Sequence, residues 1–316
     1  MKALKLFSGT SNLPLSEKIA LNLETKLGEI YHHKFPSGET YCQFKENIRG
    51  CDVFLVQGIT NPANENLMEL LVMADAARRA SAERITAVIP YMGYARQDRK
   101  DKSRVPISAR LVLDLIATAG IDRVVTMDLH SPQVGGFTNL PFDHLTFEPV
   151  LVDYIRTKYH SLDLRDNVVL MAPDVGAVKR IEKYSSTLKS DFGFISKKRL
   201  GDDKVDLQNI VGNVKDKHVI IIDDLTESLG TMIQAANECK RQGAKLVTCA
   251  VTHGCLTDVG VKRLAETNSI DEFIHSNTNN TWSVVPSIVR VLDVSVLFAK
   301  AIRSINRNES VSELFV

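Results

Sequence analysis

Two adjacent carboxylates, Asp223 and Asp224, follow four apolar residues in the segment Val219–Thr231. Small and hydroxyl-bearing residues come next, and a helical pattern begins at Thr231. Backbone amides at a helix N-terminus are suited to a phosphate, and neighbouring carboxylates are suited to sugar hydroxyls or to a magnesium ion holding them. A solvated acidic turn, with Ser228 or Thr231 as the helix N-cap, is the alternative. We favour a sugar-phosphate site at the end of a buried strand, where ligands bind in open α/β sheets.

A second candidate site is rich in cations. The motif PYMGYARQDRK begins at Pro90, directly after the apolar run Ile85–Ile89, and DKSRVPIS continues it. Binding of a nucleoside triphosphate requires several positive charges. The cations are interleaved with Asp98 and Asp101, so an exposed loop with self-paired charges is the alternative. The basic residues of this segment are Arg96, Arg99, Lys100, Lys102 and Arg104.

Three further segments carry chemically useful side chains. TMDLHSPQ places Asp128 and His130 on one side of an extended segment, a reasonable metal-ligand geometry. APDVGAVKR places Asp174 at a strand end, where it could also be a simple N-cap. The segment ISKKRLGDDKV, with its basic run Lys197–Arg199, predicts either a lid that brings cations to phosphates or a basic surface turn.

The elements that must position these residues alternate along the chain. Apolar runs that are rich in Val and Ile are separated by amphipathic segments such as Asn66–Ala80, Ser108–Ala119 and Thr231–Gln242. Continuous apolar runs are typical of parallel strands covered on both faces, so we predict βαβ units and mostly parallel sheets flanked by helices. The predicted strands are Cys51–Val56, Ile85–Ile89, Arg123–Met127, Val168–Met171, His218–Ile222 and Lys245–Val251.

The chain repeats this order of elements. The stretch from Asp52 and the stretch from His218 each contain a strand, a polar loop, a helix, a second strand and a glycine. The first copy has Gln57 and Gly58 where the second has the acidic pair, so the first copy is predicted to be degenerate. We predict two α/β domains of one fold, residues 1–147 and 148–316, with the segment from about 292 returning to the first domain.

Composition narrows the functional class. The chain has 316 residues and a formal net charge of +1, which argues against a nucleic-acid-binding protein. Its five cysteines form no CxxC pair, which disfavours a disulfide framework and a structural zinc site. No apolar run approaches the length of a membrane span. A cytoplasmic location is therefore expected.

The segment Val219–Thr231 resembles the phosphoribosyl pyrophosphate-binding loop of type I phosphoribosyltransferases. Essentially the whole chain, from FSGTSN at Phe7 to ESVSELF at Glu309, resembles the class I ribose-phosphate diphosphokinases. The motifs at Pro90, Thr126, Ala172, Ile195 and Thr252 carry this resemblance. It implies two type I phosphoribosyltransferase-like domains, the N-terminal one contacting ATP and the C-terminal one binding ribose 5-phosphate. The implied reaction transfers the diphosphoryl group of ATP to O1 of ribose 5-phosphate, with Mg²⁺ as cofactor.

The resemblance also assigns roles to residues. It implies catalytic roles for Lys197 and Arg199, magnesium binding by His130 and Asp174, and ATP binding by Phe35, Ser37, Glu39, Arg96, Gln97, Arg99 and Asp101. Ribose 5-phosphate would be bound by Asp223, Asp224, Thr226, Glu227, Ser228, Leu229, Gly230 and Thr231. A regulatory phosphate and ADP site would comprise Asn47, Arg49, Ser81, Arg104, Ser310 and Val311. The resemblance further implies a homo-oligomer in which dimers assemble into a hexamer and Phe35 reaches the adenine from a neighbouring subunit.

Several positions depart from the family pattern. Glu227 stands where Asp is usual, Ser228 where Thr is usual, and Leu229 where a small residue is usual. An extra methylene moves a carboxylate by more than an ångström, a displacement that can be costly in catalysis. A catalytically weak regulatory or assembly subunit of the same family is therefore the alternative to an active enzyme. A simple phosphoribosyltransferase leaves the ATP motifs unused, and the absence of GxxxxGK[ST] excludes a P-loop kinase.

Overall fold

The computed structural model describes residues 2–198, 207–279 and 285–315, without the side chains of residues 197, 198, 207, 208, 313 and 315. The chain divides into two compact units. Unit 1 comprises Met1–Thr146, Thr278–Asn280 and Asp293–Val316. Unit 2 comprises Phe147–Asn277 and Thr281–Leu292. Each unit has its own apolar core around a mostly parallel sheet, as the α/β prediction requires.

The elements follow one another in chain order. The first part of the chain contains β1 (Leu4–Ser8), α1 (Leu13–Asn22), β2 (Ile30–Lys34), β3 (Thr40–Phe44), β4 (Asp52–Val56), α2 (Ala63–Arg79), β5 (Arg84–Ile89), α3 (Ser108–Thr118), β6 (Arg123–Met127) and β7 (Phe142–Leu145). The rest contains α4 (Glu148–Lys158), α5 (Leu164–Asn167), β8 (Val168–Ala172), α6 (Val178–Leu188), β9 (Asp191–Lys198), β10 (Leu207–Val211), β11 (His218–Thr226), α7 (Gly230–Arg241), β12 (Leu246–Gly254), α8 (Asp258–Glu266), β13 (Glu272–Ser276), β14 (Val289–Leu292) and α9 (Ser295–Arg307). Short 3₁₀ turns lie at Pro132–Phe137, Val175–Ala177 and Ser312–Phe315.

The strand order of the five-stranded sheet in unit 1 recurs as β8-β11-β12-β13-β14 within the seven-stranded sheet of unit 2. In unit 1 the order is β1-β4-β5-β6-β7, and all four pairings are parallel. In unit 2 the order is β10-β9-β8-β11-β12-β13-β14, and among the described strands only the β9–β10 pairing is antiparallel. Strands β4 and β11 therefore occupy corresponding positions. Each unit also has an antiparallel strand pair that precedes β4 or β11 in the chain. The pair β2–β3 of unit 1 is separate from the main sheet, whereas the pair β9–β10 of unit 2 is part of it.

The C-terminal helix α9 packs on α1 within unit 1. Arg303 donates to the backbone oxygen of Asn22 at 2.9 Å, and the Asn22 side chain donates to Ser295 Oγ at 2.9 Å. Asn306 donates to the buried carboxylate of Asp52 at 2.9 Å. Because a buried charge is costly without partners, this contact fixes the end of the chain to β4.

Strand β11 is longer than the apolar run that predicted it. The run ends at Ile222, but the strand continues to Thr226 because Asp223, Leu225 and Thr226 keep their pairing with β12. The acidic pair therefore lies inside the strand rather than after it. Pairing with β8 stops at Ile221, so this end of β11 has a strand neighbour on one side only. Among the described residues, no helix has both the length and the apolar character that a bilayer crossing requires.

Candidate sugar-phosphate and nucleotide sites

The acidic pair lies on the part of β11 that extends beyond its pairing with β8. Asp224 is buried, with 4% of its surface exposed, and Asp223 is partly buried. Arg180, at the third position of α6, donates to Oδ1 of Asp223 at 3.0 Å and to Oδ1 of Asp224 at 3.4 Å. Arg180 lies within the motif APDVGAVKR, but no pattern in the sequence indicates a role for it. Its distance of 43 residues from Asp223 along the chain hid the contact.

Burial and the adjacent Asp224 raise the pKa of Asp223 to about 7, while the positive charge of Arg180 opposes the shift. The backbone amide of Asp224 also donates to Asp223 Oδ1 at 2.9 Å, which favours the ionised carboxylate. Two neighbouring carboxylates in a site of this kind favour a shared proton, a cation or hydroxyl donors. Sugar hydroxyls and Mg²⁺ both satisfy that requirement.

The loop Glu227–Gly230, which we call the phosphate loop, connects β11 to α7. Glu227 and Ser228 are exposed, whereas Leu229 is 1% exposed and belongs to the apolar core of unit 2. Leu229 has a φ of +61° and occupies the N-cap position of α7 without a side-chain hydrogen bond. The alternative that Ser228 or Thr231 caps this helix is therefore wrong. The unusual Leu229 turns its side chain into the core.

Helix α8 contacts the phosphate loop through backbone carbonyls. Glu227 O accepts from Thr257 N at 3.0 Å and from Thr257 Oγ1 at 3.3 Å. Ser228 O accepts from Arg263 Nη1 at 3.0 Å. No sequence motif pointed to Thr257 or Arg263, because the contacts are made to backbone atoms some 30 and 35 residues away along the chain.

Asp174 follows β8 and begins the 3₁₀ turn Val175–Ala177. Its Oδ1 accepts from Gly176 N at 2.8 Å and from Ala177 N at 3.2 Å, so the capping interpretation describes this residue correctly. Lys197 lies on β9, where only its backbone is described, and Arg199 lies outside the described residues. The suggested catalytic roles of Lys197 and Arg199 stay predictions.

The adenine-contacting residues implied for unit 1 lie on the turn between β2 and β3. Phe35 N donates to Glu39 O at 2.9 Å, and Gly38 N donates to Phe35 O at 2.8 Å. Ser37 Oγ donates to Glu39 Oε2 at 2.7 Å, so these two side chains form one polar cluster. The Phe35 ring is 45% exposed and packs edge-on against His33 and Tyr41. An exposed ring that its neighbours support is suited to stacking on a flat base.

Arg96, Gln97, Arg99 and Asp101 are exposed in the loop that leads to α3. Gln97 accepts from Ser108 Oγ at 2.5 Å, and its backbone oxygen accepts from Ala109 N at 3.2 Å. These bonds fix the loop to the start of α3. In the described part of the chain, neither Arg99 nor Asp101 forms an ion pair, which weakens the alternative of a self-paired loop. The guanidinium of Arg99 is exposed, and a polyphosphate could contact it there.

Asp128 and His130 follow β6. Asp128 has a φ of +34°, and its N–H donates to Leu145 O at 3.0 Å. Leu129 N donates to His144 Nε2 at 2.8 Å, so the neutral ring of His144, on β7, holds this segment. His130 is exposed. No cluster of three or more His, Cys, Asp or Glu side chains suited to a metal occurs among the residues that the structure describes.

The six implied regulatory residues all belong to unit 1. Asn47 Oδ1 accepts from Arg49 N at 3.0 Å, and Gly50 N donates to Ser81 O at 2.9 Å. These contacts bring the turn at residues 47–50 to Ser81. Arg104 precedes α3, and Ser310 and Val311 follow α9.

In unit 1, the end of β4 corresponds to the end of β11 that carries the acidic pair, and it is filled by buried side chains. Gln57, which follows β4 and corresponds to Asp223, is 0% exposed. Its Nε2 donates to Glu69 Oε1 at 2.7 Å, and its Oε1 accepts from Ser11 N at 3.1 Å. Glu69 also accepts from Thr10 N at 2.7 Å. These groups fill the position where unit 2 presents its carboxylates.

Comparison with known proteins gives one consistent result. Residues 4–120 match the model of the N-terminal domain of ribose phosphate pyrophosphokinase, and residues 198–316 match the phosphoribosyl synthetase-associated domain. A ribose-phosphate pyrophosphokinase of Chlorobaculum tepidum is 42% identical over 99% of this chain and 95% of its own length. That of Campylobacter jejuni is 41% identical over the full length of both chains. The crystal structure of phosphoribosylpyrophosphate synthetase from Mycobacterium smegmatis superposes with a TM-score of 0.90, at 39% identity, over 97% of this chain and 100% of that one.

Proposed function

Because this chain belongs to the ribose-phosphate pyrophosphokinase family, we propose that it transfers the diphosphoryl group of ATP to O1 of ribose 5-phosphate, giving phosphoribosyl pyrophosphate and AMP. The observation that carries the proposal is the acidic pair Asp223–Asp224 beside the phosphate loop at the start of α7. Carboxylates accept hydrogen bonds from ribose hydroxyls, while the amides of the loop and the positive end of α7 favour the 5-phosphate.

In the proposed reaction the O1 hydroxyl of ribose 5-phosphate attacks the β-phosphorus of ATP. The bond between that phosphorus and the bridging oxygen to the α-phosphorus breaks, AMP leaves with the oxygen, and the O1 proton passes to solvent. No covalent protein intermediate is needed, because positioning and charge neutralisation supply the catalysis. Asp223 and Asp224 would orient the ribose, and Thr226 through Thr231 would hold its phosphate.

On the nucleotide side, Phe35 would stack on the adenine, with Ser37 and Glu39 beside it. Arg96, Gln97, Arg99 and Asp101 would hold the phosphates and ribose of ATP. The exposure of Phe35 and the exposed guanidinium of Arg99 support these roles. Lys197 and Arg199 would supply positive charge to the developing negative charge of the transferred group.

The residues present fit a magnesium ion. Asp174, in unit 2, would offer a carboxylate, and His130, in unit 1, would offer an exposed imidazole. Mg²⁺ usually keeps several waters and takes only one or two protein carboxylates together with phosphate oxygens, so a three-residue cluster is not required. When bound, the ion would neutralise charge on the phosphates of ATP.

We further propose that the protein acts in the cytoplasm as a homo-oligomer, with dimers assembling into a hexamer. Five cysteines without disulfides support a reducing compartment. Asn47, Arg49, Ser81, Arg104, Ser310 and Val311 would form a site for regulatory phosphate or ADP. Light scattering of the purified protein tests the oligomeric state. Activity measured with and without inorganic phosphate tests the regulatory site.

The function is tested by incubating the protein with Mg²⁺, ATP labelled at the β-phosphorus and ribose 5-phosphate. We expect AMP, with the label in the sugar product. Formation of ADP would indicate transfer of a single phosphoryl group, and folded protein that makes no AMP above background would overturn the proposal. The variant Asp223→Asn with Asp224→Asn is the matched control, since it keeps the shape of the pair and removes its charge.

Two other functions would be recognised in related assays. Turnover of phosphoribosyl pyrophosphate with a nucleobase, in the absence of ATP, would favour a simple phosphoribosyltransferase. Activity that rises only when an active relative is added would favour a regulatory or assembly subunit. The departures at Glu227, Ser228 and Leu229 motivate the second possibility.

A further inference from the structure

Two successive carbonyl groups of the phosphate loop are directed at helix α8. Thr257 holds the carbonyl of Glu227, and Arg263 holds that of Ser228. The peptide bonds that follow them are trans. In a trans peptide the carbonyl and the next N–H point in opposite directions. The N–H groups of Ser228 and Leu229 therefore point away from α8.

Successive amides that point the same way form a concave surface that binds anions. The contacts with α8 thus orient two donors of the phosphate loop without using any side chain of that loop. The contacts of α8 with Glu227 and Ser228 are therefore compatible with different side chains at these positions. The side chain of Leu229 is meanwhile anchored in the core.

The close approach of α8 to the phosphate loop depends on Gly260. A Cβ at this position would lie 2.3 Å from Glu227 O, a backbone atom that cannot move aside easily. The side-chain oxygen of Thr257 also accepts from Gly260 N at 3.4 Å, so the cap of α8 and the contact with the loop are made by one residue. The phosphate loop and the first turn of α8 are therefore held together by Thr257.

We propose that Arg263 is a positioning residue that sets the affinity for the 5-phosphate of the sugar substrate, a role that rests on the proposed function. Its guanidinium fixes the Ser228–Leu229 peptide, and it adds positive charge beside the loop, 3.4 Å from where a Cβ on Gly230 would lie. Both effects favour a phosphorylated sugar over its unphosphorylated counterpart.

The matched experiment compares Arg263→Gln with Lys262→Gln. Both variants remove one positive charge from an exposed side chain of α8, but Lys262 lies 4.0 Å from Glu266, whereas Arg263 contacts the loop. We expect Arg263→Gln to raise the KM for ribose 5-phosphate roughly tenfold, because a charge-assisted bond is lost, and to leave the KM for ATP unchanged. Lys262→Gln should match the unmodified protein, and Arg263→Lys should recover part of the loss.

An unchanged KM for ribose 5-phosphate in Arg263→Gln would overturn the proposal. Equal increases in both KM values together with a lower Tm would also overturn it, since they indicate a purely structural role. Should Arg263→Gln fail to fold, Arg263→Met keeps the apolar stem and removes the charge and the hydrogen bond to Ser228 O; it too should raise only the KM for ribose 5-phosphate.

Calorimetric titration separates this proposal from the proposed function. The unmodified protein should bind ribose 5-phosphate more tightly than ribose, and Arg263→Gln should reduce that difference. If the unmodified protein makes no AMP, the proposed function fails, yet a preference for ribose 5-phosphate that depends on Arg263 would still support the positioning role. An active enzyme whose preference does not change in Arg263→Gln would retain the function and overturn the role.

Discussion

Arg180 Nη1 donates to Oδ1 of Asp223 at 3.0 Å, which places a cation from α6 against a carboxylate on β11. The contact joins the motif APDVGAVKR, which contains Arg180, to the segment Val219–Thr231, which contains the acidic pair. It also opposes the effect of burial and of Asp224, which together raise the pKa of Asp223 to about 7. A residue outside the phosphate loop therefore favours the ionised form of Asp223, against the larger effect of burial.

Replacement of Arg180 should change the pH dependence of stability. Because the pKa of Asp223 is raised from 3.8 to about 7 on folding, the folded protein binds more protons than the unfolded chain between these pH values, and the free energy of unfolding falls as pH rises through that window. In Arg180→Gln the pKa of Asp223 rises further, so the fall should continue above pH 7, and the variant should lose roughly 1 kcal/mol more stability at pH 8 than at pH 5, relative to the unmodified protein. Denaturant titrations at pH 5 and pH 8 measure the difference.

Arg79→Gln is the matched control for that experiment. Arg79 forms an exposed ion pair with Asp75 on the surface of α2, and exposed pairs of this kind contribute little. We expect no measurable change at either pH. Equal destabilisation of Arg180→Gln at pH 5 and pH 8 would contradict the assigned role of Arg180, because a lost packing contact does not depend on the charge of Asp223.

Much of the fold follows from the apolar runs of the sequence. Strands that are buried on both faces, such as β4 and β5, are predicted to within a residue or two because nearly all of their side chains are apolar. The β2–β3 pair escapes prediction because its strands are half exposed and rich in polar and aromatic residues. The end of β11 escapes prediction as well, since hydrogen bonds to β12 extend the strand through charged residues.

Some residues of the candidate site can be predicted from the sequence, and others cannot. Asp223 and Asp224 are evident from the sequence, because adjacent carboxylates before a small-residue loop form a local pattern. Arg180, Thr257 and Arg263 are not evident, because they reach the site from other elements. Contacts to backbone carbonyls impose no side-chain pattern on the loop and leave no local signal in its sequence.

A change at Leu229 sets two opposing effects against each other. Leu229→Gly would relieve the left-handed conformation, which costs a non-glycine residue about 1–2 kcal/mol. It would also remove a leucine from the core of unit 2, and truncation of a buried leucine costs about 2–5 kcal/mol. The second effect is larger, so we expect net destabilisation of about 1–3 kcal/mol. Chemical denaturation measures it, and Leu229→Met, which keeps the volume, should lose less.

The same position tests the regulatory-subunit alternative. If divergence of the phosphate loop limits activity, Glu227→Asp with Leu229→Gly should raise the rate of AMP formation sharply. Because the loop backbone is held by α8 and Leu229 faces the core, we expect no such increase. A sharp increase at unchanged stability would support the weakly active subunit instead.

Restoring an acid in unit 1 should not create a second sugar site. In Gln57→Asp a carboxylate would replace the amide that donates to Glu69 at 2.7 Å, in a position with no exposed surface. An uncompensated buried charge costs about 3–5 kcal/mol, so we expect a loss of that order at pH 8. Repulsion raises the pKa of the carboxylate pair in the folded state, so stability should recover as pH falls. Gln57→Asn has the same length without the charge and should lose less, with little pH dependence. Binding of ribose 5-phosphate to unit 1 of the aspartate variant would contradict this prediction.

His144 offers a test of the segment that carries the proposed magnesium ligand His130. Its Nε2 accepts from Leu129 N at 2.8 Å, which requires the neutral ring and fixes the backbone between Asp128 and His130. His144→Phe removes the acceptor and keeps a ring, so the amide of Leu129 loses this hydrogen bond at a cost of about 1–3 kcal/mol. We expect the KM for ATP to rise roughly tenfold while the KM for ribose 5-phosphate stays constant. His144→Gln retains an acceptor at a similar distance and should recover most of the affinity. Equal kinetics for the phenylalanine and glutamine variants would show that the hydrogen bond does not position His130.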